Sequence, residues 1–391
     1  MAEDRRIMTI NMGPQHPATH GVLRIELELD GEIVVRATPF IGYLHRGVEK
    51  LAEIKTYHQA LTLTDRLDYT SALSNNLAYC LACENLLGLE VPKRGQYLRV
   101  ILAELQRIAA HLLWLGTHAL DIGAMTVFFY TFREREYITD IIESVTGARL
   151  TPSFIRIGGL ARDVPDEFEG MVRSFVKDFP RRVDEYETLL TKNIIWRRRT
   201  VKVSPLTRED ALSYGVTGPV LRASGVNYDV RKAFPYSSYE DFDFQIPLGT
   251  RGDVFDRYDV RLREMRQSNR IIDQALSRLP GGPINARAPG YVAPPKEDVQ
   301  KDMAALIRHF KLMEESFSAP RGEAYGAIES SKGELGFYLV SDGSNKPFRF
   351  RIRPPSFLNI GALPKMIVGS MIADVIAAIG SIDIVLGEID R

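Results

Sequence analysis

The stretch from Leu98 to Leu115 constrains the fold most. Leu98, Ile101, Leu102, Leu105, Ile108, Ala109, Leu112 and Leu115 recur at three- and four-residue spacing, while Arg99, Glu104 and Arg107 fall off the stripe. That period writes an amphipathic helix of about five turns. A stripe of this length has to be covered by other helices. The same periodicity runs through Leu67–Leu87 and Val127–Val145, with Gly47–Leu61 ahead of them. Four such segments predict a helical bundle at the centre of the chain. Gly88, Pro92 and Gly95 punctuate one joint, and Gly116 to Gly123 loosen the next. On this reading Asp121 follows a helix end near Gly116, where a carboxylate can either face a cleft or cap the helix that follows.

Before the bundle the period is two. Leu23, Ile25, Leu27 and Leu29 alternate with Arg24, Glu26 and Glu28, then Asp30-Gly31 turns the chain into a return strand. A further strand-like run, Ile7–Met12, precedes the loop Gly13–Gly21, GPQHPATHG. That loop carries His16 and His20, two groups that titrate near neutral pH, and such a loop suits proton chemistry. The two histidines stand four apart, but Pro17 opposes a helix through both and no HExxH glutamate accompanies them, so no metal site is expected. His20 could act as a proton donor if a carboxylate orients its ring, with Asp68 beside Tyr69 and Asp121 as candidates.

After the bundle a helix is expected over Glu167–Lys192, disturbed at Pro180. Residues 200–252 lack periodicity and read as an irregular crossing segment. Helices follow over Phe255–Leu279 and Asp298–Phe317, separated by a Pro/Gly-rich linker. Residues 322–353 return to strands with a hairpin around Ser341–Ser344, and a last helix is expected over Pro364–Ile379. The fold class is α+β: an N-terminal small antiparallel sheet, a central four-helix-type bundle, and a C-terminal sheet and helix. The expected divisions are 1–41, 42–321 and 322–391.

Fifty basic residues balance fifty acidic ones in 391, which argues against a general nucleic-acid binder. The only cysteines, Cys80 and Cys83, lie inside a helical pattern, so they suit neither a disulfide framework nor a four-ligand zinc site and point to a reducing compartment. The N-terminus lacks a signal-peptide pattern. The apolar run Met366–Leu386 is interrupted by Asp374 and Asp383, which favours a buried helix over a membrane span. Neither GxGxxG nor GxxxxGK[ST] occurs, so no nucleotide cofactor is expected on this chain. Trp196–Arg199 is a basic run suited to a solvated face or a partner contact.

The motifs GPQHPATHG, GYLHRGVEK (Gly42–Lys50), DRLDY (Asp65–Tyr69), LGTHALDIGA (Leu115–Ala124), FFYTFRERE (Phe128–Glu136), RIGG (Arg156–Gly159), ASGVNYDVRK (Ala223–Lys232), RGDVFDR (Arg251–Arg257) and GEIDR resemble one family in order and spacing. It is the quinone-site subunit of proton-pumping NADH–quinone oxidoreductase, respiratory complex I, called the D subunit in bacteria. The resemblance spans essentially the whole chain and implies a fold like the large subunit of [NiFe] hydrogenases. It implies that His20 and Tyr69 hydrogen-bond a quinone headgroup, that Asp121 pairs with His20, and that Arg66 lies near the terminal iron–sulfur cluster of a partner. It places Leu386 in the cavity lining. It implies no cofactor on this chain alone and quinone as substrate. As partners it implies the iron–sulfur B subunit, the C and I subunits, and the membrane H subunit of the same complex. Peripheral association with the cytoplasmic face of the bacterial inner membrane follows.

Two rivals accompany this expectation. One is the equivalent subunit of a ferredoxin-fed sister complex. The other is a [NiFe] hydrogenase large subunit, which the missing cysteine ligands disfavour. Where many members carry a histidine near the cluster, this chain has Thr151 after Gly147-Ala148-Arg149-Leu150. Threonine does not titrate in this range, so the resemblance carries no pH-linked cluster potential to this chain.

Overall fold

The computed structural model describes residues 7–16 and 21–391. His20 lies outside the described residues.

β1 (Ile7–Met12), β2 (Arg24–Asp30) and β3 (Ile33–Phe40) form an antiparallel sheet in that order. Ile10 stands opposite Leu27, and Leu29 opposite Val34. Ile25, Leu27 and Leu29 are buried while their charged neighbours are half-buried, so the alternation in sequence is the alternation of faces.

The single helix expected over Gly47–Leu61 is two, α1 (Val48–Ile54) and α2 (Tyr57–Thr64). The break has a local cause. Thr56 accepts a hydrogen bond from the Gln59 amide, and the Gln59 side chain accepts one from the Thr56 amide. That reciprocal cap satisfies two donors that a continuous helix would not leave free. α3 (Ala72–Leu87), α4 (Lys93–Asp121) and α5 (Met125–Thr146) complete the first helical block.

α4 does not end near Gly116. It runs its full 29 residues to Asp121. A Cβ on Gly116 would come within 2.5 Å of the Thr131 hydroxyl oxygen, so this glycine is there to let α5 approach closely.

A short ribbon, β4 (Ile155–Arg156) with β5 (Gly159–Leu160), leads to α6 (Phe168–Leu190). α6 passes through Pro180. The carbonyl that proline leaves without an amide, Val176, accepts from the Asn269 side chain at 3.1 Å instead. The crossing segment is less irregular than expected. α7 (Ile194–Thr200) leads into it, and α8 (Arg208–Ser213), α9 (Gly218–Ala223), α10 (Val230–Ala233) and a 3₁₀ turn at Tyr239–Asp241 occupy it. α11 (Val254–Ser277) then packs along α4 and α6, and α12 (Lys296–Lys301) and α13 (Met303–Glu314) follow.

β6 (Gly322–Glu329), β7 (Glu334–Ser341) and β8 (Arg349–Arg353) form the second antiparallel sheet. The Ser341–Ser344 stretch begins the connection from β7 to β8. A tighter turn at Ser330–Gly333 joins β6 to β7. The helix expected over Pro364–Ile379 is also divided, into α14 (Pro355–Ile367) and α15 (Ile372–Ile382), before a short α16 (Leu386–Asp390). Between α14 and α15 the chain pairs with β3. Gly369 donates to the Val34 carbonyl at 2.8 Å, and the Val34 amide donates to the Ser370 carbonyl at 2.9 Å.

Two cores result. The larger joins α3 to α6 and α11 with the second sheet. The smaller joins β1–β3 with residues near Leu206–Leu221 and with α14–α16. Among the described residues, no helix is long and apolar enough to cross a membrane.

Candidate functional site

α16 is held from three sides. The Asp390 carboxylate accepts from the Gly42 amide at 2.8 Å and the Leu44 amide at 2.7 Å, and the His45 ring meets the Asp390 carbonyl at 2.6 Å. The Arg46 guanidinium donates to the Gly387 carbonyl at 2.7 Å and to the Arg66 carbonyl at 3.0 Å. A Cβ on Gly387 would lie 2.5 Å from the Leu67 carbonyl, so α16 rests directly against the turn that carries Arg66 and Tyr69. Leu386 is buried, and its methyl group meets the place where a Cβ on Gly21 would stand, 4.0 Å away.

The turn between α2 and α3 has its own logic. Asp65 faces inward, taking hydrogen bonds from Asn76 at 2.8 Å and from the Ser153 hydroxyl. Asp68 also faces inward and accepts from the Thr70 amide at 3.0 Å and its hydroxyl at 2.7 Å, a local turn of the aspartate type. With Asp65, Leu67 and Asp68 buried, Arg66 and Tyr69 point out. Tyr69 is 46% exposed. The low-dielectric wall around its ring and the neighbouring Asp68 and Asp383 raise its phenol, against Lys332 and Arg46, so it keeps its proton at neutral pH.

Beneath Tyr69 lies a group that the sequence reading did not single out as a site. Lys332, at the β6–β7 turn, is buried with its ammonium 3.1 Å from Asp68 and 3.6 Å from Asp383. It donates to the Thr70 hydroxyl at 2.9 Å. Burial would lower the ammonium, and Asp383, Asp68 and Glu388 more than reverse that, holding it above its ordinary value. Its only signal in the sequence is a lysine in the short polar turn Ser330–Gly333 between two strand-like runs. Arg46 was likewise passed over, although it lies in one of the resembling motifs.

The structure brings Arg66, Tyr69 and Leu386 to one place, next to Gly21. It does not join Asp121 to them. Asp121 is the last residue of α4 and makes no hydrogen bond or ion pair with these three among the described residues. Burial raises its carboxyl to about 6. His16 is half-buried at the end of the described part of its loop. Thr151 stands in a left-handed conformation, φ 49°.

The CxxC pair is interior. Cys80 and Cys83 are buried in α3, and burial pushes both thiols well up, so neither is a ready metal-binding thiolate. Among the described residues, no cluster of histidine, cysteine and carboxylate side chains is arranged to hold a metal ion.

Comparison with known proteins finds relatives over the whole chain. A family model described as the 49 kDa subunit of respiratory-chain NADH dehydrogenase matches residues 121–391. A protein of Geotalea uraniireducens, named as the D subunit of NADH-quinone oxidoreductase, is 60% identical over 385 residues, covering 98% of this chain and 99% of that one. The like-named protein of Trichlorobacter lovleyi is 58% identical over 388 residues, with 99% and 100% covered. A D subunit of the same enzyme from Solibacter usitatus is 56% identical over 390 residues, with 100% and 95% covered.

Proposed function

Because the chain belongs to the family of the 49 kDa subunit of respiratory-chain NADH dehydrogenase, we propose that it forms the quinone-reduction site of an NADH–quinone oxidoreductase and works only inside that complex. Its share of the site is Tyr69 and Arg66 on the α2–α3 turn and Leu386 on α16, together with His20 and its partner Asp121. Quinone is the substrate. The partner that completes the cavity is the iron–sulfur B subunit, with the C and I subunits and the membrane H subunit as further neighbours. The location is the cytoplasmic face of a bacterial inner membrane, as a peripheral subunit.

The observation that carries this reading is the disposition of Arg66 and Tyr69. Both project outward from a turn pinned to α16, with Leu386 and Gly21 alongside. A phenol that retains its proton at neutral pH is a donor for a developing quinone oxyanion, and an oxyanion left unpaired in such a cavity is costly. Reduction consumes two electrons and two protons. The partner's iron–sulfur cluster supplies the electrons one at a time. Tyr69 supplies one proton, and His20, kept charged by Asp121, supplies the other. Arg66 is the residue that would face the partner's cluster, where its charge would favour the reduced form.

In the assembled complex, Tyr69→Phe should lower kcat for quinone reduction by about 10²-fold, the low end of a general-acid contribution, with little change in subunit content. His20→Ala should do the same. Quinone reduction that survives both changes undiminished would overturn the reading.

A further inference from the structure

We propose that the buried quartet Asp68, Lys332, Asp383 and Glu388 stores one exchangeable proton and returns it to Tyr69 after Tyr69 has protonated the quinone oxygen. The proposal rests on the quinone-site reading above.

The first support is charge. Asp68 and Asp383 contact one ammonium at 3.1 and 3.6 Å, Glu388 acts on it from farther away, and all four side chains are buried, Lys332 at 1% exposure and Glu388 at 0%. Fully ionised, the quartet would carry two net negative charges away from water. Every other charged or titratable group facing it has to be counted. From α11, Arg261 acts on Asp383 and offsets one of those charges. From α4, His111 also faces Asp383, but burial lowers its imidazole and favours the neutral form. Arg391, at the chain end, feels Glu388 but is paired with Glu49 at 3.4 Å. Arg46, on the loop before α1, acts on Tyr69. One surplus negative charge remains among the four, and a bound proton removes it.

The second support is geometry. One oxygen of Asp68 and one of Asp383 face the Lys332 ammonium, which these two carboxylates share, and neither oxygen accepts a hydrogen bond from another group among the described residues. One oxygen of Glu388 has no hydrogen-bond partner among the described residues. The other Glu388 oxygen accepts from the Ser356 amide at 3.0 Å. A buried carboxylate with a bare oxygen is in the expensive state, and protonation relieves it. Burial, reinforced by Asp68, raises Glu388 to about 7, so the store titrates where the enzyme works.

The third support is position. Asp68 is the residue before Tyr69, and Glu388 sits two residues after Leu386. Lys332 and Asp383 complete the group. Tyr69 senses Asp68, Lys332 and Asp383, and Glu388 in turn acts on Asp68 and Lys332.

The step balances. Tyr69 gives its phenolic proton to the quinone oxygen, whose electrons come from the partner's iron–sulfur cluster. A carboxyl O–H bond in the quartet then breaks and the phenolic O–H bond re-forms. The negative charge passes to the quartet, which then carries one charge in excess of Lys332 and Arg261 until a solvent proton refills the store.

The test uses the complete complex in membrane vesicles, with NADH and a short-chain ubiquinone analogue. Glu388→Gln keeps the bond from Ser356 and the side-chain volume but has no proton to give. Its kcat should fall about 10-fold or more with KM unchanged, and the decline of kcat above about pH 7 should disappear. Infrared difference spectra of the unaltered complex on quinone reduction should show a protonated carboxyl band that shifts in heavy water. That measurement decides the matter if the variant does not assemble. A Glu388→Gln complex with the parent kcat and pH profile, or no carboxyl band in the parent, would overturn the store. Tyr69→Phe and His20→Ala run in parallel separate the two readings. If Tyr69→Phe and His20→Ala are both fully active the quinone site itself is wrong, whereas loss of activity in Tyr69→Phe beside a normal Glu388→Gln complex removes only the store.

Discussion

Cys80 and Cys83 show how much a residue's surroundings decide. Spaced as CxxC, they could be ligands or a redox pair, yet both lie inside α3, where burial raises their thiols. The native protein should therefore resist alkylation at pH 8, and mass spectrometry should find no label before unfolding and two labels per chain after it. A single label on the native chain would contradict the packing. Tyr69 was named through the DRLDY resemblance alone; periodicity read Leu67–Leu87 as helical, whereas Asp68 closes a turn on Thr70 and α3 begins at Ala72. Lys332 was not named at all. Its partner Thr70 is 262 residues away in the chain, and no periodicity or spacing connects residues across such a gap. His20 and Asp121 were named from sequence. The structure places Asp121 at a helix end about one and a half turns later than the glycine-based reading had it.

At the scale of elements, periodicity found α4, α5, α6 and α11 because each buries a continuous stripe. It failed where a partner elsewhere decides the boundary. The α1–α2 break needs the Thr56–Gln59 cap, and the α14–α15 break needs β3 to pair with Gly369 and Ser370. The β6–β7 turn is the element on which the site leans. Gly333 has φ 137°, and a Cβ there would meet the Thr217 hydroxyl at 2.5 Å and the Thr217 backbone at 2.9 Å. Gly333→Ala should cost about 1–3 kcal/mol in strain, measurable as a lowered unfolding midpoint. Because the turn carries Lys332, the same change should also lower quinone turnover in the assembled complex. A Gly333→Ala protein as stable and as active as the parent would show that the turn is not constrained.

Across the whole molecule, the balanced charge count conceals a buried network. Arg222 meets Glu264 at 2.6 Å and Glu329 at 2.7 Å, Arg231 meets Asp229 at 2.6 Å and Glu104 at 3.1 Å, and Arg107 meets Glu104 at 3.1 Å. Burial opposes ionisation of Glu104, but Arg107 and Arg231 prevail and hold it down to about 2. Its contribution to stability is present above the ordinary glutamate value and is lost as pH falls from about 4.5 to about 2. Asp121 and Glu388 act with the opposite sign. Raised to about 6 and about 7, they hold protons in the folded chain that the unfolded chain releases earlier, so they lower stability as pH rises from about 4 to about 7. Burial holds His58 down to about 4, so it adds stability over the same range and opposes part of that loss. Relative to the parent, the Asp121→Asn, Glu388→Gln double variant of the isolated subunit should gain in unfolding midpoint as pH rises from about 5 to about 7. A variant whose midpoint keeps a constant offset from the parent's across that range would refute this balance. Composition could not have shown it, because pairing depends on which charges share the interior.

The clamp between Gly42–Arg46 and α16 joins residues as much as 348 positions apart. Contacts of that sequence separation form late, since most of the chain must be in place before the two segments can meet. In a refolding experiment the bundle helices should therefore acquire amide-exchange protection first and the Asp390-bonded amides of Gly42 and Leu44 last. A chain arrested on the way would be compact but would still lack the floor beneath Tyr69.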